Sequence, residues 1–285
     1  MPLTEAQRLI LELLAENRSE ESHLAGAAAI HMADRSTRRS ADLDLFHDRE
    51  QAVADAFEKD RLALDAGGFG LRVELSQPGF IRAMVTAPGH EPLRVDWAHD
   101  SMWRFLPPVK LKGAGHVLHP VDLAANKVLA LAGRDEPRDF VDVLYLHRRV
   151  LPLGALCWAA CGKDRGLNPA MLLGLLSRKG RLNQGDLDRL DLASPFDLST
   201  EVPAYREALA LGREWIETRQ MEEIGCLYHR PGSGAFFAPA AGDDYEIHRG
   251  SPGGVLPVID ELKSFYDHPG ERERLESFFE RPVGS

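Results

Sequence analysis

Three short alternating runs, "GLRVELS" (70–76), "FIRAMVTA" (80–87) and "LRVDWA" (93–98), constrain the fold most. Each is of strand length, and the turns between them, "QPG" and "APGHEP", carry the Gly and Pro that reverse a chain. Strands joined so closely pair antiparallel. Before them, "REQAVADAFEKDRLALDAG" has helical spacing and stops at Gly67–Gly68. Farther upstream, "HLAGAAAIHMADRS" predicts a short strand at 23–25, a turn at Gly26 and a short helix over 27–33, and "MPLTEAQRLILELLAEN" predicts a helix with Thr4 as N-cap. Residues 20–118 thus read as a twisted, largely antiparallel sheet with helices on one face.

The texture changes after 118. "HPVDLAANKVLALAGRDEPRDFVDVLYLHRRV" predicts a helix, a break at 133–137 and a second helix, with Pro120 and Pro137 in first turns. Further helices are expected near 152–162, 168–179 and 203–220. The remainder is rich in Gly and Pro, with short strand-like pieces and a final amphipathic helix, "GERERLESFFER". The expected class is α+β. A sheet domain spans 1–118, a helical lobe spans 119–220 and completes a cleft, and a C-terminal segment of unassigned role spans 221–285.

The formal net charge of −10 gives no overall pull towards nucleic acid or an anionic membrane. A nucleic-acid contact needs a local basic patch, for which Arg35, Arg38, Arg39, Lys110 and Lys112 are candidates. The three cysteines form no CxxC pair, and Cys157 and Cys161 share one helix face as core residues. No apolar run approaches membrane-spanning length. A cytoplasmic protein without a membrane partner is expected.

The chemistry begins in "RRSADLDLFHD" (38–48). Residues i and i+2 of a strand share a side, so Asp42 and Asp44 stand together, their Cα atoms ~6–7 Å apart. Like charges that close need a reason. A shared hard divalent ion such as Mg²⁺ is one, since it takes oxygen ligands and sits between carboxylates and phosphates. If the strand with Asp96 is a neighbour, three carboxylates gather on one face, and Asp96 could take a proton from an attacking hydroxyl. His47 could widen the set into a mixed metal site. The plainer alternative is the solvated face of an edge strand, with His47 as its polar end.

Two further stretches point to phosphate. Gly26 opens a short helix whose first N–H groups, at Ala27 and Ala28, face outward; alternatively these are small residues at a close helix–sheet contact. Lys127 and Arg134 are seven apart on one helix, and Asp139 and Asp142 share a face of the next. Two basic groups suit phosphate oxygens. The alternative is an ion-paired hairpin in which Arg134 and Arg138 meet Asp135, Asp139 or Asp142.

Taken together, "GAAAI" (26–30), "RSADLDLF" (39–46), "VDW" (95–97) and "NKVLALAGRDEPRDFVDVLYL" (126–146) resemble, in order, the nucleotidyltransferase-like toxins of the abortive-phage-infection type (AbiEii/AbiGii). The resemblance implies a nucleotidyltransferase fold followed by a helical lobe. It implies Mg²⁺ on Asp42, Asp44 and Asp96, and a nucleoside triphosphate held by Gly26, Ala27, Ala28, Arg39, Ser40, Lys127 and Arg134. Lys127 would act in catalysis with the three acids, and Arg138, Asp139 and Asp142 would complete the cleft. The implied acceptor is RNA, such as a tRNA end, and the implied partner an antitoxin. This chain departs from the family turn at Ala27 and Ala28, where a second Gly and a Ser or Thr are usual. Ser36, Thr37 or Ser40 could supply the missing hydroxyl. The departure leaves two rivals: a nucleotide- or partner-binding module without catalysis, and nucleotidylation of a small molecule or protein.

Overall fold

The structure, a computed structural model, describes residues 3–32, 36–232, 235–257 and 269–279. Arg35 and the expected helix end at Ala33 lie outside the described residues, as do the last two residues of the final helix motif.

Helix α1 (Glu5–Leu14) starts at Thr4, whose hydroxyl accepts from the Gln7 N–H while the Gln7 side chain accepts from the Thr4 N–H. Strand β1 (Ser22–Ala25) runs directly into the short helix α2 (Gly26–Ile30), and β2 (Asp42–His47) returns beside it. After α3 (Glu50–Ala66) come β3 (Gly70–Gln77), β4 (Phe80–Thr86) and β5 (Leu93–His99), then the short strands β6 (Trp103–Arg104), β7 (Val109–Leu111) and β8 (Gly115–Val117). Seven of these form one sheet, in the order β3-β4-β5-β2-β1-β8-β7.

The hairpins β3–β4 and β4–β5 are antiparallel, as their short turns require. The sheet is nevertheless mixed: β2 runs parallel to β5, and β1 parallel to β8. The β3–β4–β5 meander returns its last strand to the edge of β2, a long-range pairing invisible in local turn signals.

Helices cover both faces, not one. Trp97 of β5 points opposite to Asp96, and on its side Phe57 of α3 meets it edge-on at 5.0 Å between ring centroids. Asp60 of α3 is fully buried there. Its carboxylate accepts from Arg18 at 2.6 Å on both oxygens, from Asn17 at 2.8 Å and from the Trp97 indole at 2.7 Å. On the Asp96 side, α2 contacts β2 and the first of the later helices.

Those helices are α4 (Pro120–Gly133), α5 (Pro137–Arg149), α6 (Leu153–Lys163), α7 (Pro169–Leu176), the single turn α8 (Gln184–Leu187) and α9 (Leu198–Glu217). Helix α9 starts five residues before Pro203, because Asp197 caps it by accepting from the Ser199 N–H at 2.9 Å. Cys157 and Cys161 are buried in α6. Among the described residues no helix is long and apolar enough to cross a membrane.

The C-terminal residues are stitched into the same body. Strands β9 (Cys226–His229), β10 (Phe236–Phe237) and β11 (Glu246–Arg249) form a small sheet, and β12 (Ser251–Pro252) pairs with β6. Helix α10 (Pro269–Phe279) buries Phe278 in the main core, and its Glu271 meets His119, the N-cap of α4, at 2.8 Å.

Asp60 yields a stability test. Asp60→Ala leaves the buried Arg18 guanidinium without its counter-ion. It is expected to lower the free energy of unfolding by about 3–5 kcal/mol in denaturant titration. A loss under about 1 kcal/mol would show that the network is not holding α3 to the sheet.

Candidate active site

Strand pairing sets the site. In register, Asp44 of β2 lies opposite Asp96 of β5, and Asp42 opposite Arg94. Across the next pair, Arg82 of β4 lies opposite Asp96. Cross-strand partners share a face, so Arg82, Asp96 and Asp44 form one row, with Arg94 and Asp42 beside it. All three acids line one small polar cavity of about 160 Å³, together with Arg38, Arg82, Arg94, Lys127, Arg134 and Arg138.

The three carboxylates have different partners. Both Asp96 oxygens accept from Arg82, at 2.8 and 2.7 Å. Asp42 is paired with Arg94 and accepts the Ser40 hydroxyl at 2.8 Å, with Arg138 at 3.9 Å. Burial works against its charge, but Ser40 and Arg94 outweigh that and hold its pKa below the usual carboxylate range. Asp44 accepts no hydrogen bond among the described residues. Burial, with Asp42 and Asp96 close by, pushes its pKa up to about 6.

Gly26 makes room for that carboxylate. Its φ is +64°, and a Cβ there would come within 1.8 Å of the Asp44 Oδ2. The glycine is therefore required twice, by backbone conformation and by the acid behind it. Ala27 lines the polar cavity, and Ala28 is fully buried.

Asp44, Lys127 and Arg134 also border a second, larger cavity of about 560 Å³ between β2, α2 and α4. Ile30, Phe46, Leu123 and Leu129 give it apolar walls. Its size and mixed lining are those of a small-molecule site.

Lys127 is nearly buried and is held at 2.9 Å from Asp139 and at 2.9 Å from Asp142. Burial disfavours its charge, but the two carboxylates prevail and raise its pKa. Arg134 closes on Asp139 at 2.6 and 3.1 Å. Asp142, fully buried, also accepts from His31 at 2.7 Å and from Arg38 at 2.7 and 2.8 Å. Three permanent cations (Lys127, Arg38 and Arg134) face two carboxylates, which leaves one positive charge in surplus at the cavity wall. Asp139 and Asp142 thus act beneath the cleft by fixing its basic groups.

The structure places several of the singled-out residues apart from the cavities or in supporting positions. Arg39 does not line either cavity; it is half-buried and pairs with Asp191 of the helical lobe at 2.8 Å. Its neighbour Arg38 faces the cleft instead. Ser40 is buried and spends its hydroxyl on Asp42, so it positions an acid. His47 lies on the other side of β2, because an odd position alternates away from Asp42 and Asp44. Burial and Arg18 push its pKa down to about 3, so it stays neutral. Arg138 pairs weakly with Glu136 at 3.8 Å as well as with Asp42. Arg82 and Arg94 were not singled out; Arg94, two residues before Asp96 on one strand, was legible by alternation, whereas Arg82 required the β4–β5 register.

Among the described residues no group of three acidic, His or Cys side chains is placed to hold a metal ion as it stands, and arginines cover two of the three acids. The donor set still fits a hard cation. It is all carboxylate oxygen, it is backed by a glycine cradle, and Asp44 carries a charge with no counter-ion.

An acid whose pKa rises on folding binds its proton more tightly in the folded state. The raised Asp44 value therefore costs stability as pH climbs from about 4 to about 6, and the cost is constant above that. Asp44→Asn is expected to be more stable than wild type above pH ~6, on the order of 3 kcal/mol, with the curves converging below pH ~4. Denaturant titrations across pH check this; a constant offset would contradict it.

Comparisons with known proteins bear on the fold and the family. Among solved structures, MenT4, a nucleotidyltransferase toxin from Mycobacterium tuberculosis H37Rv, aligns at 16% identity over 76% of this chain and 83% of its own, with a TM-score of 0.50. At that identity the likeness is one of fold. JHP933 from Helicobacter pylori aligns at 18% identity over 74% of this chain and 90% of its own, with a TM-score of 0.45. No curated protein matches the chain. The family model described as "Nucleotidyl transferase AbiEii toxin, Type IV TA system" matches residues 8–210. That is well over half of the 285 residues, and the chain belongs to the AbiEii nucleotidyltransferase toxin family.

Proposed function

We propose that the protein is a Mg²⁺-dependent nucleotidyltransferase that moves a nucleotidyl group from a nucleoside triphosphate to an acceptor hydroxyl on RNA, with a tRNA end as the preferred acceptor. The observation that carries this reading is the place of Asp44. It lies between Asp42 and Asp96 and opens on both the polar cavity and the apolar-walled cleft.

The nucleoside lies in the larger cavity against Ile30, Phe46, Leu123 and Leu129. Its phosphates point to the junction, where Lys127 and Arg134 are fixed by Asp139 and stabilise negative charge on the departing pyrophosphate. Bound by Asp42, Asp44 and Asp96, Mg²⁺ would activate the acceptor oxygen and neutralise the phosphates. The acceptor oxygen forms a bond to the α-phosphorus while the bond to the bridging oxygen breaks. The acceptor proton would pass to Asp96, the carboxylate opposite Asp44, on the oxygen that the cation leaves free. A cognate antitoxin is the proposed protein partner, in keeping with the family.

A second reading rests on Ala27 and Ala28. The absent hydroxyl and the added methyl at the turn favour a module that binds nucleotide without transferring it. Incubation with Mg²⁺, each α-labelled nucleoside triphosphate and bulk tRNA separates the readings. Label is expected to pass to tRNA with wild type and to fall to background with Asp44→Ala. Nucleotide binding without transfer supports the binding module, and transfer only to a metabolite or protein moves the acceptor out of RNA.

A further inference from the structure

Two arginines stand where the family's chemistry needs a cation. Arg82 covers both oxygens of Asp96, and Arg94 covers Asp42, while Asp44 between them has no donor. The acids are more deeply buried than the bases. The side chains of Asp96 and Asp42 are 8% and 9% exposed, those of Arg82 and Arg94 34% and 35%. The guanidinium groups therefore lie on the solvent side of the pairs and have room to leave. Arg94 is also poorly held: its Nε is buried with no acceptor.

The pairing pattern supports the same view. Arg82 and Arg94 pair with Asp96 and Asp42, Arg138 stands 3.9 Å from Asp42, and Asp44 alone of the three carboxylates has no ion pair among the described residues. A divalent cation entering there competes directly with both arginines for Asp42 and Asp96. The released guanidinium groups then need anions of their own. Their place in the sheet says which. The order β4-β5-β2-β1 puts Arg82 and Arg94 on one flank of the acid row. The nucleotide cavity is built from β2, α2 and α4 on the other flank. Arg82 and Arg94 line the polar cavity and not the larger one, so they lie on the side of the acid row away from the nucleoside, the side left to the acceptor.

We propose that Arg82 and Arg94 are exchangeable counter-ions, covering Asp96 and Asp42 in the protein alone, releasing them to a divalent cation, and then holding backbone phosphates of the acceptor strand. This rests on the nucleotidyltransferase reading above. It adds two acceptor-binding residues, with a signature that a purely structural ion pair does not share: their loss moves cation and RNA affinity in opposite directions.

The test uses full-length Arg82→Gln and Arg94→Gln. Mn²⁺ binding without nucleotide is followed by the EPR signal of the free ion. Binding of fluorescently labelled bulk tRNA is followed by anisotropy in Ca²⁺ over a range of salt, and ATP binding is measured at saturating Ca²⁺. Each variant is expected to bind Mn²⁺ about twofold to fivefold more tightly, because a partly exposed competitor is gone. Each is expected to bind tRNA more weakly, with the log–log salt slope reduced by about one, and to keep its ATP affinity. Unchanged or weaker Mn²⁺ binding, or an unchanged salt slope, overturns the proposal while leaving the enzyme reading intact. A shift of the loss from tRNA to ATP overturns the acceptor assignment. Absence of Mn²⁺ binding in wild type sinks the enzyme reading and the proposal together. If a glutamine variant fails to fold, Arg82→Lys and Arg94→Lys keep the charge and lose the fork. Tighter Mn²⁺ binding with the salt slope retained is then expected, and no change in Mn²⁺ binding overturns the proposal.

Discussion

Repulsion among Asp42, Asp44 and Asp96 is the constraint around which this protein is arranged. Pairing β2 with β5 in parallel puts Asp44 and Asp96 directly opposite each other, and the period of two adds Asp42. A fold concerned only with stability would put apolar or oppositely charged residues there. Instead the cluster is contained by Arg82, Arg94 and Ser40, and Asp44, left without a donor, is reluctant to ionise. Sites that give up stability in this way are characteristic of function.

The helical lobe answers with the opposite sign. Asp142 binds together three distant parts of the chain, through His31 after α2, Arg38 before β2 and Lys127 in α4. Three neighbours on one buried carboxylate hold it well below its usual pKa, although burial alone would raise it. Asp139 fixes Lys127 and Arg134 from the other side. The result is a rigid basic wall facing an acidic floor, with Gly26 letting the two approach. Such preorganised charge is what phosphoryl transfer demands of a protein.

Much of this was legible from residues alone, and the rest was not for identifiable reasons. The runs at 70–76, 80–87 and 93–98 became β3, β4 and β5 because alternation and Gly/Pro turns are local signals. The shared side of Asp42 and Asp44 follows from strand geometry. The parallel partner of β2 is a long-range choice that no turn announces, and the predicted antiparallel sheet with one covered face missed it. Arg39 was carried over by motif position, but one step along the chain turns its side chain to Asp191. The Asp142 cluster joins positions more than a hundred residues apart, 111 in the case of His31. Of the two readings of the helical hairpin, the ion-paired one describes Arg134 with Asp139, and the phosphate-facing one describes where Lys127 and Arg134 sit relative to the cavities.

The most direct test of a shared cation beneath a triphosphate is a crystal structure with Mn²⁺ and a non-hydrolysable nucleoside triphosphate analogue, read at the manganese absorption edge. Anomalous density among the carboxylates of Asp42, Asp44 and Asp96, with the analogue's phosphates against Lys127 and Arg134, is the result expected here. Density elsewhere, or an analogue bound with Arg82 and Arg94 still closed on bare carboxylates, would contradict it.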